Sequence, residues 1–70
     1  MDEIEISLKI SSKLEFLMKT KKIKGIDIAK TIPMTCENFS YHRNALKKGN
    51  LPNSRFLVGI TKYFNENFLD

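Results

Sequence analysis

Seventy residues confine this chain to one domain, and a domain that short hides only about 60% of its unfolded surface, so dimerisation is expected to support it. Its single cysteine, Cys36, excludes an internal disulfide and a thiolate zinc cage, leaving side-chain packing to make the core. The formal charge is +4, yet all twelve Lys and Arg lie between Ser7 and Asn65 with only Glu15, Asp27 and Glu37 among them, a central 12 − 3 = +9 suited to a polyanion.

The first ten residues set Ile4, Ile6, Leu8 and Ile10 in strict alternation with polar residues, the two-residue period of a half-buried strand. A lone strand has nothing to pair with inside the chain. Residues 1–10 are therefore expected to be an N-terminal extension: a strand that pairs with a second copy and covers Phe16, an extended tail, or an early start of the first helix. Residues 11–70 form the folded domain. Their first helix is predicted from Ser12, because Ser12-Lys13-Leu14-Glu15 has the form of a capping box. Ile10, Leu14, Leu17 and Met18 give it an apolar face, and it is expected to end near Lys22.

A second, short helix is predicted over Ile26–Ile32, with Ile28, Ala29 and Ile32 on one face and Pro33 stopping it. Thr35 is a good N-cap for a third helix, Cys36 to Lys48, in which Phe39, His42 and Leu46 share the inner side. Gly49 follows as a left-handed C-terminal residue. Asn53 is the expected N-cap of a fourth helix whose stripe is Phe56, Leu57, Ile60, Tyr63 and Phe64. Phe16 and Phe68 fall outside these stripes and are expected to be exposed.

A short helix, a tight turn and a longer polar helix, flanked by two amphipathic helices, is an order in which one helix braces another for a DNA major groove. From Ile10-Ser-Ser-Lys through Ile23, Ile28-Ala29, Thr35, Phe39 and Arg55-Phe-Leu, the chain resembles the lambdoid phage repressor and Cro family over roughly residues 10 to 65. The resemblance implies an all-α fold: a four- to five-helix phage-repressor-like helix-turn-helix domain. Ala29 matches the small residue that lets the two helices approach, and Phe39 and His42 match two anchors of the third helix. The chain departs from the family at Pro33, where a left-handed glycine is usual, and at Gly25, where many members carry a phosphate-binding glutamine. It departs again at Arg43–Lys48, which continues as helix where a turn is common.

By the same resemblance Cys36, Glu37 and Tyr41 match residues that read base edges, with Asn38, Ser40 and Asn44 beside them on the exposed side. Glu37 can accept from cytosine N4, and asparagine can bond adenine. Lys30, Arg43, Lys47 and Lys48 are the phosphate candidates, supplying affinity more than sequence choice. Ile4, Ile6, Leu8, Phe16 and Phe68 are the dimerisation candidates.

One His, one Cys, no Ser-His-acid set and no glycine-rich phosphate loop leave nothing for catalysis, a cofactor or a metal. The acidic first residues are unlike a secretory signal, and no apolar stretch approaches the roughly 18 residues a bilayer requires. The expectation is a cytoplasmic regulator that binds double-stranded DNA as a homodimer, represses transcription at a palindromic operator and makes no membrane contact. The alternative is a protein-interaction module on the same scaffold, antitoxin-like or anti-repressor, with a protein partner. Structured RNA is a third option.

Overall fold

The computed structural model describes residues 2–68, and there the chain is all-helical: α1 Glu3–Thr20, α2 Gly25–Thr31, α3 Cys36–Lys47 and α4 Ser54–Phe64. Met1, at the start of the predicted 1–10 extension, and Leu69 and Asp70, at the end of the predicted 11–70 domain, lie outside the described residues. No described helix is long and apolar enough to cross a membrane.

Of the three readings of the N-terminal segment, the early start of the first helix holds, and the strand and the extended tail are corrected. Among the described residues there is no strand, and residues 3–10 are the first half of α1. Asp2 is the N-cap, its Oδ1 accepting from the Glu5 N–H at 2.8 Å. Asp2-x-x-Glu5 thus has the acceptor-x-x-Glu spacing that made Ser12-x-x-Glu15 look like a start, and Ser12 lies exposed in mid-helix. The alternation misleads because four is a multiple of two: a strand face and an i, i+4 helix row share every fourth residue. Ile6 and Ile10 form the inner row that continues into Leu14, Leu17 and Met18, whereas Ile4 and Leu8 form a second, exposed row.

α1 ends at Thr20 with two crossed bonds, Ile23 N–H to the Met18 carbonyl at 2.9 Å and Lys22 N–H to the Lys19 carbonyl at 3.3 Å. This is the Schellman pattern, with Lys22 left-handed at φ 55° in the position glycine favours. α3 closes with the same pair of bonds, Asn50 to Ala45 and Gly49 to Leu46, and there Gly49 takes the strained position at φ 87°.

Between α2 and α3 run Ile32, Pro33, Met34 and Thr35, none with positive φ. Pro33 is accommodated because the turn is held by other groups. Ile32 N–H bonds the Ile28 carbonyl at 3.1 Å, Met34 N–H bonds the Ala29 carbonyl at 2.8 Å, and Arg55 Nη2 reaches from α4 to the Pro33 carbonyl at 2.8 Å. Thr35 and Asn53 cap α3 and α4 as their sequence positions suggest, accepting from Asn38 N–H and Phe56 N–H.

The core gathers Ile10 and Leu14 of α1, Ile28 and Ala29 of α2, Phe39 and Leu46 of α3, and Phe56 and Ile60 of α4, all nearly inaccessible to solvent. α3 packs against α1 and α2, and α2 against α4. Beyond α4, left-handed Asn65 turns the chain back toward α1, and Phe68 is buried beside Phe64 at 6.1 Å between ring centroids. Lys13 closes over it: Nζ donates to the Asn67 carbonyl at 2.6 Å, lies 3.8 Å from Glu66 and 5.6 Å from the Phe68 ring centre. The expected exposure of Phe68 is therefore corrected, because its ring packs beside Phe64 and under Lys13.

Candidate nucleic-acid interface

Phe39 and Leu46 fix the rotation of α3 by pointing into the core. Phe39 lies 5.3 Å from Phe56, and His42 stacks on the same Phe56 ring at 5.3 Å while its Nε2 meets Asn53 Nδ2 at 3.4 Å. Asn53 Oδ1 is already taken by Phe56 N–H, so the amide nitrogen donates and the imidazole accepts. His42 is thereby a packed histidine of the α3–α4 junction. Gly25 sharpens the fit from α2, since a Cβ there would lie 3.1 Å from the Phe39 ring.

With the inner side so anchored, Cys36, Glu37, Asn38, Ser40, Tyr41 and Asn44 are all exposed, Tyr41 by 70%. At about 100° per residue, Cys36, Ser40, Asn44 and Lys47 form one row and Glu37, Tyr41 and Lys48 the next, an outward arc of about 140°. Asn38 falls beyond Tyr41, toward Ala45 and His42. Seven of the ten residues assigned from sequence to bases or phosphates thus share one strip, Lys48 at its far end, and Asn38 lies off it. Lys30 is exposed near the end of α2.

Arg43 differs from the expectation of a free cation. Its Nε and Nη2 fork onto Glu15 Oε2 and Oε1 at 2.6 and 2.7 Å, tying α3 to α1. Lys47 Nζ lies 3.7 Å from the same carboxylate. The hydrogen bonds from Arg43 hold the Glu15 carboxyl below the usual carboxylate range against an opposing effect of partial burial, and Glu15 in return raises Arg43. Glu15, read from sequence as half of a capping box, is thus a tertiary partner. The available signal was its isolation: it is the one acid between Ser7 and Asp27.

Among the apolar candidates, Ile4, Leu8 and Phe16 are exposed, Phe16 by 66%. Ile6 is half-buried against the core, and Phe68 is buried, so neither offers a free apolar surface. Ile4 packs beside Gly49, where a Cβ would come within 3.1 Å of it. A separate apolar groove of about 630 Å³ runs between the end of α2 and the outer side of α4, past Ile32, Val58, Gly59 and Tyr63. No group of three or more His, Cys, Asp or Glu converges among the described residues. No protein-family model, curated protein or solved structure matches the chain.

Proposed function

We propose that the chain is a sequence-specific DNA-binding regulator of the helix-turn-helix kind, similar in design to phage repressors, with α3 as the helix that enters the major groove. The observation that carries this reading is the uncovered side of α3, a helix 12 residues long braced from behind by α2 and bearing hydrogen-bonding and cationic groups in a +9 stretch (12 − 3). A groove about 12 Å wide admits one helix. Tyr41, Asn44, Glu37, Ser40 and Cys36 would then meet base edges, while Lys48, Lys47 and Lys30 meet phosphates. Two copies would occupy half-sites about one helical turn, roughly 34 Å, apart, and repress by covering a promoter. Of the dimerisation candidates, Ile4, Leu8 and Phe16 are exposed and would make the contact between copies.

A salt titration of duplex binding tests the reading. Lys48→Ala weakens binding to all sequences alike and reduces the slope of log K against log salt by about 0.9. Tyr41→Ala instead changes which sequences are selected from a random duplex pool. Unchanged binding in both variants would remove α3 from the interface. The second reading, an antitoxin-like or anti-repressor module that grips another protein, is favoured by the groove along α4. It calls for no mobility shift on random duplex at low salt.

A further inference from the structure

The outer side of α1 carries Glu5, Leu8, Ser12, Phe16 and Lys19, all exposed, Leu8 by 43% and Phe16 by 66%. Glu5, Ser12 and Lys19 follow one another at a spacing of seven. That spacing keeps them on one nearly axial line, drifting only about 20° per step, which a slight left-handed crossing of two helices straightens. The line lies opposite the buried Ile10, Leu14 and Leu17. At about 100° per residue, Leu8 and Phe16 stand about 40° to its two sides. Leu8 is on the side of Ile4 and Glu15, the residues through which α1 meets Gly49 and Arg43. The helix is also acidic at its start, with Asp2, Glu3 and Glu5, and basic at its end, with Lys19, Lys21 and Lys22. Among the described residues neither Glu5 nor Lys19 forms an ion pair.

We propose that a second copy of this chain docks on this face, α1 against α1, antiparallel about a two-fold axis at Ser12. In that register Glu5 of each copy meets the partner's Lys19, and the acidic start of each helix lies along the basic end of the other, as flanking charges set helix orientation in coiled coils. A parallel pair would bring Glu5 to Glu5 and Lys19 to Lys19. Small Ser12 lets the two backbones approach. Leu8 and the partner's Phe16, each four residues and so about 6 Å from the axis, close over the line from its two sides. Ile4, turned toward Gly49, stays at the margin. The pairing deepens the two-copy part of the DNA-binding reading, on which its role rests. An axis perpendicular to antiparallel helices leaves the flank that holds α3 common to both copies, so both α3 helices come to one face of the pair, as half-sites on one side of a duplex require. A parallel pair would turn them to opposite faces. One helix face buries less than the roughly 1,200 Å² of a standard interface, so the free pair is a weak one.

Sedimentation equilibrium of the full chain, without DNA, tests the pairing. The unaltered chain is expected to dimerise below about 1 mM, and Phe16→Ala, at an exposed position, to weaken association about tenfold. Glu5→Lys and Lys19→Glu each set like charges together in two symmetric pairs and weaken it about tenfold. The two substitutions in one chain restore it to within about twofold. Circular dichroism reports folding of each variant. Where a charge reversal at a helix end loosens α1, Glu5→Gln and Lys19→Gln put the same question with a loss of about threefold. A chain that stays monomeric to about 1 mM, or a Phe16→Ala chain that associates as before, overturns the proposal. Charge changes without effect, the parallel outcome, overturn it as well. None of these readings uses DNA, so failure of duplex binding beside an intact, charge-dependent dimer removes the DNA reading and leaves the pairing.

Discussion

α3 is held on its two flanks by different kinds of contact. Toward α2 and α4 it meets ring on ring and ring on glycine: Phe39 against Phe56 at 5.3 Å, His42 against the same ring, and Gly25 admitting the Phe39 edge. Toward α1 the outer seam is close and joins one apolar contact, Ile4 against Gly49, to the polar fork of Arg43 on Glu15. By helical position the small, buried Ser7 and Ser11 of α1 lie between this seam and the core row of Ile10 and Leu14. Apolar burial is large but non-directional, whereas a forked ion pair is worth little at this exposure and is strict about geometry. The difference teaches that the aromatic flank supplies most of the stability of α3, while Phe39 and Leu46 pointing inward set its rotation and the forked pair adds a geometrically strict tie to α1.

The largest expected effect is on the aromatic flank. Phe39→Ala removes a side chain 1% exposed, a change that costs about 3–5 kcal/mol, against about 3–10 kcal/mol for a whole domain of this size. Chemical denaturation is expected to find the variant largely unfolded at 25 °C. Retained helicity with an ordinary midpoint would mean that the flank toward α1 carries most of the stability of α3.

Ser7 gives an effect of opposite sign. Its Oγ is buried with no hydrogen-bond partner, and a buried unsatisfied hydroxyl costs about 1–3 kcal/mol. Alanine also favours the helix interior. Ser7→Ala should raise stability by about 1 kcal/mol, visible as a higher urea midpoint at unchanged slope. A lower midpoint would expose a partner for the hydroxyl.

The smallest effect belongs to the ion pair and is read against pH. The folded Glu15 carboxyl is held low chiefly by the hydrogen bonds from Arg43. Its contribution is therefore complete above the unfolded value of about 4.3 and lost as pH falls through the lower folded value. At one-third exposure, screening keeps it within about 1 kcal/mol. Melting temperatures from about pH 6 to pH 2 should fall more for the unaltered chain than for Glu15→Gln; parallel curves would make the pair energetically silent.

Much of the fold was legible. The caps at Thr35 and Asn53, the stop at Pro33, the left-handed Gly49 and the inner residues Phe39, Leu46, Phe56 and Ile60 are local signals, and each works through its own few neighbours in sequence. The exposure of Cys36, Glu37, Ser40, Tyr41 and Asn44 followed from placing Phe39 and Leu46 inward. The N-terminus was not legible in the same way, since alternation fits a strand and two helix rows equally and two capping sequences compete. Asp2 prevails because starting there brings Ile6 onto the row that already buries Ile10 and Leu14.

What the sequence by itself determined was the second, third and fourth helices, their short-helix, turn and longer-helix order, and the basic middle of the chain, because propensity, capping and charge are properties of neighbouring residues. Only the tertiary structure decided that Arg43 answers to Glu15, 28 positions away, that Phe68 folds under Lys13, and that Pro33 is held by Arg55. Those contacts join segments remote in sequence, and their pairing depends on how the helices settle against one another once the apolar rows are buried.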